Sequence, residues 1–184
     1  MTIIVGISGS LRRGSFNTAL LRAGQSLMPA NAKLEVGAIQ DIPLYNGDVE
    51  AQGIPAAVQA LKNQIIAADG VILITPEYNN TIPGVLKNAI DWLSRPPEDS
   101  GKVFGNKPFA IAGASSGGFG TTLAQAAWLP VLRTLQTKPW FGPKMLVSHG
   151  DKVFNDKGEL VDDKIKSQWQ KYLQGFVEFV HSTR

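Results

Sequence analysis

The run Gly70-Val71-Ile72-Leu73-Ile74-Thr75 has no polar side. A strand with one face in water alternates apolar and polar residues, because successive side chains point to opposite faces. A strand that is apolar throughout is covered on both faces, as in the middle of a parallel sheet. The run is too short for a buried helix, contains β-branched residues and is closed by Pro76, all of which favour a strand. Parallel neighbours need long crossover connections, usually helices. This one segment therefore predicts strand–helix alternation before and after it.

The rest of the chain complies. Thr2 to Ile7 is apolar and β-branched and stops at Ser8-Gly9-Ser10, a strand ending in a turn. Asn17 to Leu27 reads as a helix with Asn17 near its cap and Leu20, Leu21, Ala23 and Leu27 as apolar contributors. Leu34 to Ile39 is a second, weaker strand. Ile54, Val58, Leu61, Ile65 and Ala68 recur at spacings of four, three, four and three, one face of a helix. Pro83 to Leu93 is helical, with Pro83 in a tolerated first-turn position. Arg95 to Asn106 contains Pro96 and Pro97 and reads as a polar loop. Pro108 to Ala114 is a fourth strand. Thr121 to Leu135 is a helix with a kink expected at Pro130. Trp140 to Val147 is a fifth strand, interrupted by Gly and Pro. A polar stretch from Ser148 to Asp163 leads to a last helix with Ile165, Trp169, Tyr172, Leu173, Phe176 and Val180 on one stripe.

Five strand–helix units thus alternate without repeats or linkers. They imply a single domain over 1–184, of the α/β class, with a parallel sheet and helices on both faces. Ligands in such sheets bind beyond the carboxyl ends of the strands, near the switch point. The loops after strands one, three and four are the expected site.

Composition narrows the chemistry. The chain has no cysteine and two histidines, which excludes disulfides, thiolate chemistry and Cys-ligated metal centres and leaves no multi-histidine site. The 18 basic and 15 acidic residues are scattered and leave a net charge of +3, so neither nucleic acid nor a membrane surface is an expected partner. No apolar run approaches the roughly 18–20 residues that span a bilayer. The first residues lack the basic region of a secretory signal, so the cytoplasm is the expected location.

The loop Gly6 to Thr18 follows the first strand and opens the first helix. It offers the hydroxyls of Ser8, Ser10, Ser15 and Thr18, the Asn17 amide, the Arg12 and Arg13 guanidinium groups and flexible glycines. A phosphate needs donors that converge on its oxygens, and a helix N-terminus helps. The loop lacks the Gly-Lys-Ser/Thr ending of a nucleotide P-loop and the Gly-x-Gly-x-x-Gly dinucleotide pattern. The same composition also describes a Ser/Gly turn with solvated arginines. In the second loop, Thr75 to Pro83, Tyr78 and the prolines can wall a flat ring, and backbone amides with Asn79 can bond its polar edge. A plain Pro/Asn turn accounts for the same residues.

The third loop, Gly113-Ala114-Ser115-Ser116-Gly117-Gly118-Phe119-Gly120, matches the Gly-x-Ser-x-Gly elbow of serine hydrolases. Asp151 and His181 would complete that enzyme's chain order. Against this, Gly117, Gly118 and Gly120 start helices poorly, whereas an elbow runs straight into one. His181 sits near the end of an amphipathic helix, and the phosphate loop would have no task. A glycine-rich loop that lets backbone approach a flat ligand fits better.

Several segments together resemble the NAD(P)H-dependent FMN reductase family, in its bacterial chromate or quinone reductase branch. Gly9 to Asn17 is similar to that family's FMN-phosphate loop and Thr75 to Asn79 to its flavin-ring loop. Leu86 to Arg95 is similar to the helix that follows, and Asp41-Ile42-Pro43-Leu44-Tyr45 also matches. One departure is Thr121-Thr122, where many relatives carry glycines. The resemblance implies a flavodoxin-like three-layer sandwich with sheet order 2-1-3-4-5. It implies that Ser10, Arg12, Ser15, Phe16 and Asn17 hold the FMN phosphate. Pro76, Glu77, Tyr78 and Asn79 would line the ring, with Ser115, Ser116 and Gly117 touching it from the third loop. It further implies NADPH or NADH as donor, ping-pong transfer of electrons to a small-molecule acceptor, and no protein acid, base or metal in the reaction. Glu77 would position rather than protonate. A homodimer or homotetramer is implied, with Ile42 to Tyr45 and the helix of Trp92 at subunit contacts; Trp92 as a plain core residue is the alternative. A flavodoxin-type FMN electron carrier, without nicotinamide oxidation, is the competing function, and the positive net charge argues against it.

Overall fold

The structure is a computed structural model that describes residues 1–183. The chain opens with strand β1 (Thr2–Ser8), helix α1 (Phe16–Leu27) and strand β2 (Ala32–Gly37). A short helix α2 (Gly47–Glu50) and helix α3 (Ala56–Ala67) lead to β3 (Gly70–Ile74). Helices α4 (Gly84–Leu93) and α5 (Pro97–Phe104) precede β4 (Pro108–Ala114). Helix α6 (Thr122–Thr134), strands β5 (Lys138–Pro139) and β6 (Met145–Val147), and helices α7 (Gly150–Val153) and α8 (Asp163–Ser182) complete it.

The sheet order is β2-β1-β3-β4-β5, with every pairing parallel and β6 also on β4. This is the flavodoxin-like order 2-1-3-4-5. Every residue of β3 is buried, as its lack of a polar side requires. Alternation along the strands divides the core. Ile4, Ile72, Ile74 and Ala112 face α1 and α8, while Val5, Ile7, Val71, Leu73 and Phe109 face α3, α4, α5 and α6. These are the three layers.

Four details differ from the sequence reading. The cap of α1 is Ser15, whose side chain accepts from the Thr18 N–H; Asn17 is the second residue of the helix and is buried. The 95–106 stretch is not simply a loop. It holds α5, which Pro97 starts at a position needing no N–H, with Glu98 and Asp99 at the positive end of the helix dipole. The fifth strand is two short pieces. Between them Phe141 to Lys144 leaves the sheet, since Gly142 and Pro143 resist extended pairing. The 148–163 stretch includes α7 and an antiparallel bridge between Phe154 and Leu160. Helix α6 continues through Pro130 as one element.

Trp92 is fully buried, and its Nε1 donates to the Pro43 carbonyl at 2.9 Å, so the core account of this residue holds. Tyr172 is buried on β4, where it donates to the Ile111 carbonyl at 2.8 Å, and burial pushes its phenol well up. Among the described residues no helix is long and apolar enough to cross a membrane.

A tight joint lies between β3, β4 and α6. A Cβ at Gly113 would stand 2.1 Å from Thr121 Oγ1 and 2.3 Å from the Thr75 carbonyl oxygen. Gly113→Ala must push α6 off the sheet and is expected to cost about 3 kcal/mol in urea unfolding, the upper part of the usual overpacking range. An unchanged midpoint would contradict the tight joint.

Candidate functional site

The loops after β1, β3 and β4 meet at the carboxyl edge of the sheet and are tied to one another. Gly9 continues β1 by donating to the Ile74 carbonyl at 2.8 Å. A Cβ on Gly9 would stand 2.9 Å from both Leu86 and Pro76, so only glycine lets the first loop approach the second so closely. Tyr78 Oη donates to Ser10 Oγ across the two loops at 3.3 Å.

In the first loop, Ser15 caps α1 and is buried. The first-turn N–H groups of Phe16 and Asn17 have no acceptor within the helix, which is how a helix N-terminus offers donors to an anion. Arg12 is exposed; its Nη2 donates to the Gly14 carbonyl at 2.9 Å and its guanidinium lies 5.6 Å from the Phe16 ring centre. The Asn17 side chain turns away from this surface. Its Nδ2 donates to the Ala114 carbonyl at 2.8 Å, and its Oδ1 accepts from the Ala114 N–H at 2.9 Å. Asn17 therefore pins the start of α1 to the end of β4.

In the second loop, Pro76 is buried, and Tyr78 and Thr81 exchange two backbone hydrogen bonds. The two residues between them, Asn79 and Asn80, have φ of 51° and 62°, the tight turn that asparagine tolerates. This turn holds Tyr78 at the rim, half exposed. Glu77 reaches across to α6. Its carboxylate accepts from the N–H groups of Leu123 at 2.8 Å and Ala124 at 2.9 Å. Thr121, at the cap position of α6, makes no side-chain cap bond. Glu77 does that work from another loop.

In the third loop, Ser115 donates its backbone N–H to the Val147 carbonyl at 2.9 Å and its hydroxyl to the Gly120 carbonyl at 2.7 Å. Ser116 and Gly117 are exposed, and around Gly117 a Cβ would meet only Ser115 Oγ, at 3.9 Å. This is open backbone that a flat ligand can approach. The hydrolase arrangement is not assembled: β4 runs into a loop, the Ser115 proton is spent on Gly120, and His181 bonds Thr2 Oγ1 at 2.6 Å, at the opposite end of the sheet.

One neighbour escaped the sequence reading, which placed no histidine near these loops. His149 donates its backbone N–H to the Gly117 carbonyl at 3.2 Å, and its ring stands 3.5 Å from where a Cβ on Gly118 would be. Its position directly after the last strand was the available signal. Its φ of 50° is unusual for a residue other than glycine.

Beside the site, Tyr45 donates to Glu50 at 2.7 Å, and Arg95 Nε donates to the same carboxylate at 2.9 Å. The Arg95 hydrogen bond, then that from Tyr45, holds the Glu50 carboxyl below the usual carboxylate range. These donors, the open glycines and the rim tyrosine fit a flat ring carrying a phosphate tail.

The sequence model of the family described as NADPH-dependent FMN reductase matches residues 2–152. An NAD(P)H-dependent FMN reductase of Pseudomonas aeruginosa is 45% identical over 181 residues, covering 98% of this chain and 96% of that protein. A quinone reductase of Escherichia coli K12 is 38% identical over 184 residues, with 98% and 96% covered. The solved structure of FerB, a flavoenzyme NAD(P)H:(acceptor) oxidoreductase from Paracoccus denitrificans, superposes with a TM-score of 0.89 at 32% identity, covering 100% of this chain and 99% of that one. The chain belongs to the NADPH-dependent FMN reductase family.

Asn17→Ala strands the buried N–H and carbonyl of Ala114. It is expected to cost about 2–3 kcal/mol, measured by urea unfolding, since unpaired buried groups carry their desolvation penalty. A cost near zero would show that loops one and three are not held through this side chain.

Proposed function

We propose that this chain is an FMN-dependent oxidoreductase that takes electrons from NADPH or NADH and passes them, in a ping-pong sequence, to a small-molecule acceptor. The observation that carries the reading is the convergence of three tied loops at the carboxyl edge of the sheet, one opening a helix N-terminus and the others flanking open backbone. FMN, when bound, supplies hydride acceptance from the nicotinamide and electron release to the acceptor.

The chain's own residues bind and orient. The N–H groups at the start of α1, with Ser10, Ser15 and Arg12, hold the phosphate, and Phe16 shields it. Asn17 contributes its backbone N–H, because its side chain is spent on Ala114. Pro76, Tyr78 and Asn79 wall the ring on one side. Ser115, Ser116 and Gly117 would touch its edge from the third loop. Glu77 acts at one remove, by fixing α6 and with it the end of the third loop. One side of the ring stays open to donor and acceptor in turn, which is the basis of the ping-pong order.

Quinones are the acceptors the reading favours, since relatives that match nearly end to end are named quinone reductases; free flavins, azo dyes and chromate share the same open face. The reading also takes residues 1–184 as one domain, acting in the cytoplasm as a homodimer or homotetramer. The exposed Leu44 and Tyr45 support that assembly.

Incubation with FMN, desalting and an absorbance spectrum before and after anaerobic NADPH tests this. A retained flavin band that NADPH or NADH bleaches within seconds is expected. A retained band that neither bleaches would instead identify an electron carrier. Ser115→Ala is expected to weaken FMN retention severalfold while leaving bleaching of the bound fraction intact. Loss of an esterase activity in that variant would revive the hydrolase arrangement.

A further inference from the structure

Beside the first loop the surface runs on into a cleft of about 490 Å³, between the N-terminal turn of α1 and the segment from Asp151 to Gly158. It narrows where a Cβ on Gly158 would stand 3.9 Å from Ala19 Cβ. A second cleft of about 420 Å³ then follows the same side of α1. Arg22, Lys157 and Gly158 line both. Helical spacing explains the near wall: Ser15, Ala19, Arg22 and Ser26 fall on one stripe of α1. The far wall is a preformed turn. Asn155 Oδ1 accepts from the N–H groups of Lys157 at 3.0 Å and Glu159 at 2.9 Å, and Gly158 turns the chain at a φ of 75°.

The first cleft has a distinct chemistry. Arg13, Arg22 and Lys157 line it, and among the described residues none of them has a carboxylate within ion-pair distance. Asp151 and Asp156 line it too, as acceptors. Phe16, partly exposed and stacked on the buried Phe154 at 5.8 Å and 13°, adds an apolar edge. The cleft begins at Gly14 and Ser15, in the loop assigned above to the FMN phosphate. A group bonded to that phosphate would extend straight into it.

We propose that this cleft is a second nucleotide subsite, which takes the adenylate half of FAD when the flavin half occupies the FMN site. The proposal rests on the flavin reading above. The three cations meet the second phosphate, whose charge they lack a protein partner for. The two aspartates accept from ribose hydroxyls and the adenine amino group. The exposed part of the Phe16 ring supplies apolar surface for the adenine to lie against. FMN, which ends at its phosphate, leaves the cleft to solvent, so a defect there is felt by one flavin and not by the other.

The test is the dissociation constant of FMN and of FAD, each read by quenching of flavin fluorescence, for the natural chain and for the double variant Arg22→Ala/Lys157→Ala. Both positions are exposed, and neither belongs to the FMN loop. FAD is expected to bind within about tenfold of FMN, and the double variant to weaken FAD by about fivefold or more with FMN changed less than about twofold, a difference of the size that lost charged contacts give. Retained FMN binding with no FAD binding at a hundredfold excess over the FMN constant would overturn the subsite. So would a variant that weakens both flavins alike. Failure of both flavins to bind the natural chain would instead overturn the flavin reading beneath it.

Discussion

The two hydrogen bonds between the Asn17 amide and the backbone of Ala114 join parts of the chain 97 residues apart. They cross over the end of β3, which lies between β1 and β4 in the sheet. Through them the start of α1 and the end of β4 keep a fixed separation, and the first and third loops with them. Tyr78 then ties the second loop to Ser10 of the first, and Glu77 ties it to α6, which carries the far end of the third. The three loops form a closed circuit of hydrogen bonds on a rigid parallel sheet. Loops held in this way need little ordering when a ligand enters, and the entropy they would lose was lost on folding.

This arrangement suits a reaction whose chemistry belongs to the cofactor. The protein has to hold a phosphate, flank a ring and leave one side open. None of these tasks requires a perturbed acid or base, and the residues at the site are correspondingly amides, hydroxyls, glycines, one rim tyrosine and the Arg12 guanidinium. The carboxylates nearby are structural. Glu77 is held by helix N–H groups, and Glu50 is held between Arg95 and Tyr45. The same economy explains why the glycines matter: at Gly9 and Gly113 a single added carbon would meet packed neighbours at 2.9 Å or less.

The sheet was largely legible in the sequence, because burial on both faces leaves a pattern that no helix or edge strand shares. β3 and β4 read off within a residue. What escaped depended on contacts between distant segments. Lys62 is fully buried, which its helix spacing gave no reason to expect; its Nζ donates to the Arg95 carbonyl and to Asp99 at 3.2 Å, and Asp99 belongs to α5, a helix hidden by its two prolines. Asn17 reads as a cap by type, yet Ser15 takes that role because only its hydroxyl reaches the Thr18 N–H. The split of the fifth strand at Gly142 and Pro143 was marked by those residues but not by their consequence. In the site itself the residue types were visible, while the use of Glu77 as a remote cap and the approach of His149 to Gly118 needed the fold.

The most direct measurement is a crystal structure of the chain grown with FMN. The account predicts the phosphate against the N–H groups of Phe16 and Asn17, the ring between the Tyr78 turn and the Ser115 loop, and the Asn17 bonds to Ala114 unchanged. A phosphate elsewhere, or a ring reached only by breaking the Asn17 link, would contradict it.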